Sequence, residues 1–176
     1  MFTKVLFALA ASVAASATAI KRDESHSVKL VNNCGSGNAV FLYENTGQQG
    51  STTVSGPLKG GVAWVDGFSG ANCQSSGVNC GIVEFTLIDS SHKDENGNSY
   101  QNSADYSLLK GSNGNHQFTY NMDFALSCDN GSPGTCTGDS ADACPGAYLG
   151  EATTGGAPTQ CVADSTGIFQ ITITFC

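Results

Sequence analysis

The sequence predicts an all-β protein, a sandwich or barrel of about ten short strands. Three observations carry this. Apolar and polar residues alternate with period two in several short runs, the spacing of half-buried strands. Turns rich in Gly, Asn and Pro separate the runs, and glycine alone accounts for 22 residues. Beyond the N-terminal leader, no stretch sustains the 3.6-residue period of a helix.

The elements follow in chain order. Lys4, an apolar run at 5–11 and small residues ending Ala17-Thr18-Ala19 have the form of a signal peptide at 1–19. The dibasic Lys21-Arg22 predicts a second cut after residues 20–22, leaving 23–176 as one domain. The first strand is expected at 27–31 and the second at 39–43, with Val40 and Leu42 alternating against Phe41 and Tyr43. A short strand at 52–54 is broken by Gly56-Pro57. Gly60-Gly61 reads as a turn before a strand at 62–65. A Gly- and Asn-rich loop at 67–81 holds Cys73 and Cys80. Residues 82–88, IVEFTLI, are the strongest internal strand. A polar loop at 90–101, a strand at 106–109, a turn at 110–115 and an extended segment at 117–124 follow. The stretch 127–161 has little periodicity and reads as a loop region held by cysteines. Pro145-Gly146 allows at most one helical turn within it. In the last strand, Phe169, Ile171, Ile173 and Phe175 share one face and Gln170, Thr172 and Thr174 the other, ending on Cys176.

Charge limits the partners. Fifteen acidic residues face seven basic ones, a formal net charge of −8. Lys4, Lys21 and Arg22 precede residue 23. The remainder therefore sets four lysines (Lys29, Lys59, Lys93, Lys110) against all fifteen carboxylates, −11, with no arginine. Such a surface repels nucleic acid and anionic membranes and tolerates neutral sugars or cationic partners. The leader's apolar run is too short to span a bilayer, and no other stretch approaches the roughly 20 apolar residues that a span needs. All eight cysteines lie behind the leader, an even count that implies four disulfides and a secreted, extracellular location. No C-x-x-C occurs, and His26, His92 and His116 show no i, i+4 spacing, so no metal site and no cofactor is expected. Nor does a G-x-S-x-G support Ser/His/Asp catalysis. Asn130-Gly131-Ser132 is an N-glycosylation sequon in a polar loop. A monomer is expected.

The candidate chemistry is carboxylate chemistry. Glu84 lies on the polar face of its strand, opposite Val83, Phe85 and Leu87, and Asp105 stands opposite Tyr106 and Leu108. If the two strands are neighbours, Glu84, Thr86, Asp105 and Ser107 share one surface. Paired carboxylates are what glycoside hydrolysis needs: about 5–5.5 Å apart for retention, about 6.5–9.5 Å for inversion. The plainer reading, solvated strand carboxylates, carries more weight from sequence alone.

Six stretches in order, VKLVNNC at 28–34, VEFTL at 83–87, ADYSLLKG at 104–111, NMDF at 121–124, ACP at 143–145 and ITITFC at 171–176, make the chain resemble the thaumatin-like proteins. The match is to a short fungal branch lacking the cysteine-rich second domain. The resemblance implies a flattened β-sandwich with disulfides Cys34–Cys176, Cys73–Cys80, Cys128–Cys161 and Cys136–Cys144. It also implies a ligand face: large members carry an acidic cleft of one Arg, one Glu and three Asp, associated with β-1,3-glucan. Glu84 matches the Glu and Asp105 the first Asp. Lys110 stands at the next Asp, Asp66 falls on or near the Arg, and the last Asp belongs to the missing domain. An incomplete cleft implies binding of β-glucan or another wall component rather than catalysis, with Tyr43, Trp64 or Tyr106 as aromatic help, although Trp64 reads first as a core residue. Short fungal members are linked to the cell wall, spore germination and growth. The alternatives are a weak endo-β-1,3-glucanase, with Glu84 as acid and Asp105 as base or nucleophile, and a surface adhesin or antimicrobial effector acting on a host or competitor.

Overall fold

The computed structural model describes residues 23–111, 115–128, 131–151, 153–162 and 168–176. The expected signal peptide and dibasic segment at 1–22, and Asn130 of the sequon, lie outside them. Among the described residues the chain forms ten strands: β1 Ser25–Asn32, β2 Asn38–Leu42, β3 Thr52–Ser55, β4 Leu58–Asp66, β5 Ile82–Leu87, β6 Gln101–Leu109, β7 Met122–Leu126, β8 Tyr148–Gly150, β9 Thr159–Val162 and β10 Ile168–Phe175. One 3-10 turn, Ser75–Gly77, stands between β4 and β5. Among the described residues no helix is long and apolar enough to cross a membrane.

The strands make an all-β sandwich of two sheets. The smaller has the order β3-β1-β10-β7; the larger runs β2-β4-β5-β6-β8, with β9 also paired to β6. The first and last strands lie side by side and parallel, Val28 opposite Ile171 and Leu30 opposite Ile173. Cys34–Cys176 ties their ends across a separation of 142 residues. A loop that long gives a chain-entropy stabilisation of about 5 kcal/mol. Cys73–Cys80, Cys128–Cys161 and Cys136–Cys144 form the other three bonds. Four disulfides mark a protein that matures in an oxidising compartment.

The apolar faces of the strands meet between the sheets. Val83, Phe85 and Leu87 of β5 and Tyr106 and Leu108 of β6 are buried against Phe124, Ile171, Ile173 and Phe175. Ring pairs cross the layer: Tyr106 and Phe124 centroids are 4.9 Å apart, Tyr120 and Phe175 5.4 Å. The buried hydroxyls have partners. Tyr106 donates to the Gly134 carbonyl at 2.8 Å, and Tyr120 donates to that of Gly81 at 2.9 Å.

Several boundaries differ from the expectation. Gly60-Gly61 is not a turn but a bulge inside β4, where pairing with β5 shifts between Leu58 and Gly61. Gly60 adopts φ 60°, which glycine takes without strain, and Gly61 lies against the Phe85 ring where a Cβ would clash. Strand β6 begins at Gln101, five residues before the expected start. The 127–161 loop region contains β8 and part of β9. These two divide one edge of β6 between them: β9 pairs with Gln101–Ala104 antiparallel, and β8 pairs with Ser107–Leu109 in parallel.

Candidate functional site

The outward face of the larger sheet is divided in two. One half is covered. Trp64 and Ile82, whose neighbours Ala63, Val65 and Val83 point inward, are fully buried on the outer side, packed beneath Gly77 of the Cys73–Cys80 loop. His116, also buried, pins that loop: its Nδ1–H lies 3.0 and 3.1 Å from the carbonyl oxygens of Gly77 and Cys80. Ser107 and Leu109 of β6 are buried as well. The other half is open, and the carboxylates sit where it begins.

Strands β5 and β6 are antiparallel neighbours, and their register sets Glu84 directly opposite Asp105, with Thr86 opposite Ser103. Direct cross-strand residues have Cβ atoms about 4.5–5.5 Å apart and project to the same side. The two acids therefore stand together on the floor of an open groove of ≈ 290 Å³, with Gly60, Gly61 and Val62 along one wall and Thr86 and Ser103 beyond. At Gly60 a Cβ would meet nothing, so the absence of a side chain there helps keep that wall low.

The pair is chemically unequal. Asp105 is largely buried, and its Oδ2 is sealed from solvent with no hydrogen-bond partner. Burial, then the charge of Glu84, pushes its carboxyl up to about 7. At neutral pH and below, Asp105 is in large part a neutral acid, able to donate a proton or a hydrogen bond.

From Thr86 and Ser103 the surface continues into a second depression of ≈ 460 Å³, flanked by Lys59, Tyr100, Gln101 and Gln160. Tyr100 is an exposed aromatic, and the Lys59 Nζ sits 4.6 Å from its ring centroid. From Asp105 to Gln101 is four residues along β6, about 13 Å at strand spacing. Carboxyls, hydroxyls and amides thus line a shallow track that ends at a phenol ring.

The remaining expected site residues stand elsewhere. Asp66 ends β4 opposite Asn38, while Val62 is the residue opposite Glu84. That separates Asp66 from the acid pair by about 13 Å along the strand, and it does not line the groove. Lys110 lies past the end of β6, beside a different depression with Gln117 and Asp139. None of the three expected aromatics is offered to a ligand here. Trp64 takes the core role and Tyr106 is buried too, while half-buried Tyr43, stacked on Phe41 with centroids 6.1 Å apart, lines neither depression. Tyr100 and Lys59 were not singled out by sequence reasoning. The available signal was a lone aromatic in an otherwise polar segment.

In comparisons with known proteins, no family model, no curated protein and no solved structure matches the chain.

Proposed function

We propose that the protein is a secreted thaumatin-like protein of the fungal wall or extracellular space that binds β-glucan through the groove over Glu84 and Asp105. The observation that carries the reading is the continuity of the acid pair with Thr86, Ser103, Gln101 and exposed Tyr100 on one open face. Neutral sugar chains are recognised by this combination: hydrogen-bonding groups for the hydroxyls, and an aromatic face for the apolar side of the ring. A strongly acidic surface does not oppose a neutral polymer. The wall placement and any role in germination or growth rest on the six-stretch resemblance.

Retention on insoluble β-1,3-glucan tests this. The wild type is expected in the pellet at low and moderate salt, and Tyr100→Ala is expected to lower retention about tenfold, the upper end for one aromatic contact. A folded wild-type protein that stays in the supernatant at every salt concentration rules out this ligand.

One observation favours weak glucan hydrolysis as a second reading. A carboxyl raised to about 7 beside a second carboxyl is the arrangement of an acid and its partner. Cross-strand spacing is nearer the retaining class. The roles would then be the reverse of the sequence-based expectation, with Asp105 the acid and Glu84 the nucleophile. Release of reducing ends from soluble β-1,3-glucan, abolished in both Glu84→Gln and Asp105→Asn, is required. Release that survives either substitution excludes this pair as the catalytic centre.

A further inference from the structure

A second cluster of ionisable groups lies where the two sheets meet, away from the acid pair. Glu24, just before β1, reaches the loop that follows β5. Its Oε1 accepts from the Asp89 backbone N–H at 2.8 Å and pairs with His26 Nε2 at 2.9 Å. Its Oε2 pairs with His92 Nε2 at 2.8 Å, and that nitrogen is 3.8 Å from Asp89 Oδ1. One ligand atom each from Glu24, Asp89 and His92 lies within 4.8 Å of the others. The side chains of Glu24 and Asp89 are only 10% and 7% exposed, and that of His92 is 32% exposed.

We propose that Glu24, Asp89 and His92 form a binding site for a divalent transition-metal ion of the zinc class. Ligands about 2.0–2.2 Å from a tetrahedral ion lie about 3.3–3.5 Å from one another. The 2.8 and 3.8 Å separations bracket that range, so shifts of about half an ångström bring these two edges to it, and the third lies within 4.8 Å. One imidazole nitrogen with two carboxylate oxygens suits zinc, cobalt or manganese and not a soft thiolate-seeking ion.

The surroundings orient the ligands in the manner of a metal site's outer shell. His26 is fully buried, with Nε2 directed at Glu24 and Nδ1 without a partner. That fixes the Nε2–H tautomer and holds Glu24 Oε1, leaving Oε2 turned toward His92. The Ser91 N–H, at 2.8 Å, and the Ser91 hydroxyl donate to Asp89 Oδ1. His92, 32% exposed, gives an ion access from solvent. A metal would take the place of the proton that His92 Nε2 shares with Glu24, so binding releases a proton and weakens in acid. The site also bears on the groove, because the Tyr100 N–H donates to the His92 carbonyl at 3.4 Å.

The test uses the processed chain, stripped with chelator and titrated with Co²⁺ alone and then Zn²⁺ alone. Saturable visible bands of low-coordinate Co²⁺, lost when Zn²⁺ displaces it, are expected, with a rise in Tm on adding Zn²⁺. His92→Gln is expected to weaken binding at least tenfold. On the wild type itself, long-range proton–nitrogen spectra should show Zn²⁺ moving the His92 Nε2 resonance and leaving His116 in place. A folded protein with no Co²⁺ spectrum and no Zn²⁺-dependent shift overturns the proposal. So does binding that moves neither His92 nor its affinity in His92→Gln.

Discussion

Among the carboxylates withdrawn from water in this molecule, Glu24 and Asp105 are acted on by their surroundings in opposite directions. Burial works to raise the Glu24 pKa, but hydrogen bonds from His26, His92 and the Asp89 backbone, with the nearby His92 charge, together hold it below the usual 4.5. Asp105 has burial and a second acid beside it, with nothing donating to its buried oxygen, and is pushed up to about 7. Burial alone therefore does not set a carboxyl's behaviour; the donors around it do. Glu24 is built to stay charged and tie elements together. Asp105 is built to hold a proton at the edge of an open groove.

Removing the donors' target should break the contrast most severely. Glu24→Ala leaves the buried His26 Nε2–H and the Asp89 N–H without an acceptor. A loss of about 3–5 kcal/mol is expected at pH 7, read by urea unfolding. Its pH dependence follows from the lowered value. The stability Glu24 contributes is full above its unfolded pKa, near 4.5, and is lost as pH falls through the lower folded value. The wild-type advantage over Glu24→Ala should therefore shrink only in strong acid.

Asp105→Asn should move the other way. Folded Asp105 keeps its proton to about pH 7, whereas the unfolded chain releases it near 3.8. The folded state then binds the extra proton across that window, and stability falls as pH rises through it. Asp105→Asn should gain on the order of 2 kcal/mol at pH 8 and close to nothing at pH 4, measured by urea unfolding at both. Glu84→Gln sharpens the point, because it removes only the second cause. It should lower the Asp105 midpoint part of the way and leave the burial contribution. Smallest of all is the effect of Tyr100→Ala on folding. The exposed ring carries little of the core, so stability should stay within about 0.5 kcal/mol while glucan retention drops.

Much of the frame was legible in the sequence because period-two alternation survives where one face is buried. Strands β5 and β10 show it plainly, and the outward placement of Glu84 and Asp105 follows from the same parity. The early half of β6 was not legible. Its inward residues are Asn102 and Ala104, so no apolar rhythm marks it; Asn102 is buried because its Oδ1 accepts from the Ile88 N–H at 2.7 Å. Strands β8 and β9 are three and four residues long and exist through pairing with β6, which local propensity does not record. Glu24, His26, Asp89 and His92 could not be grouped from spacing, since β1 and the loop after β5 meet only once the sheets pack. The bulge at Gly60 hid behind a dipeptide that more often marks a turn.

The most direct measurement is a carboxyl-carbon NMR titration of Asp105, run with and without a soluble β-1,3-oligosaccharide. A midpoint near 7 that moves when the sugar is added is expected for a proton-holding acid on the floor of a sugar-binding groove. A midpoint in the ordinary aspartate range, near 3.8 and indifferent to the sugar, would contradict both the pair's chemistry and the function assigned to it.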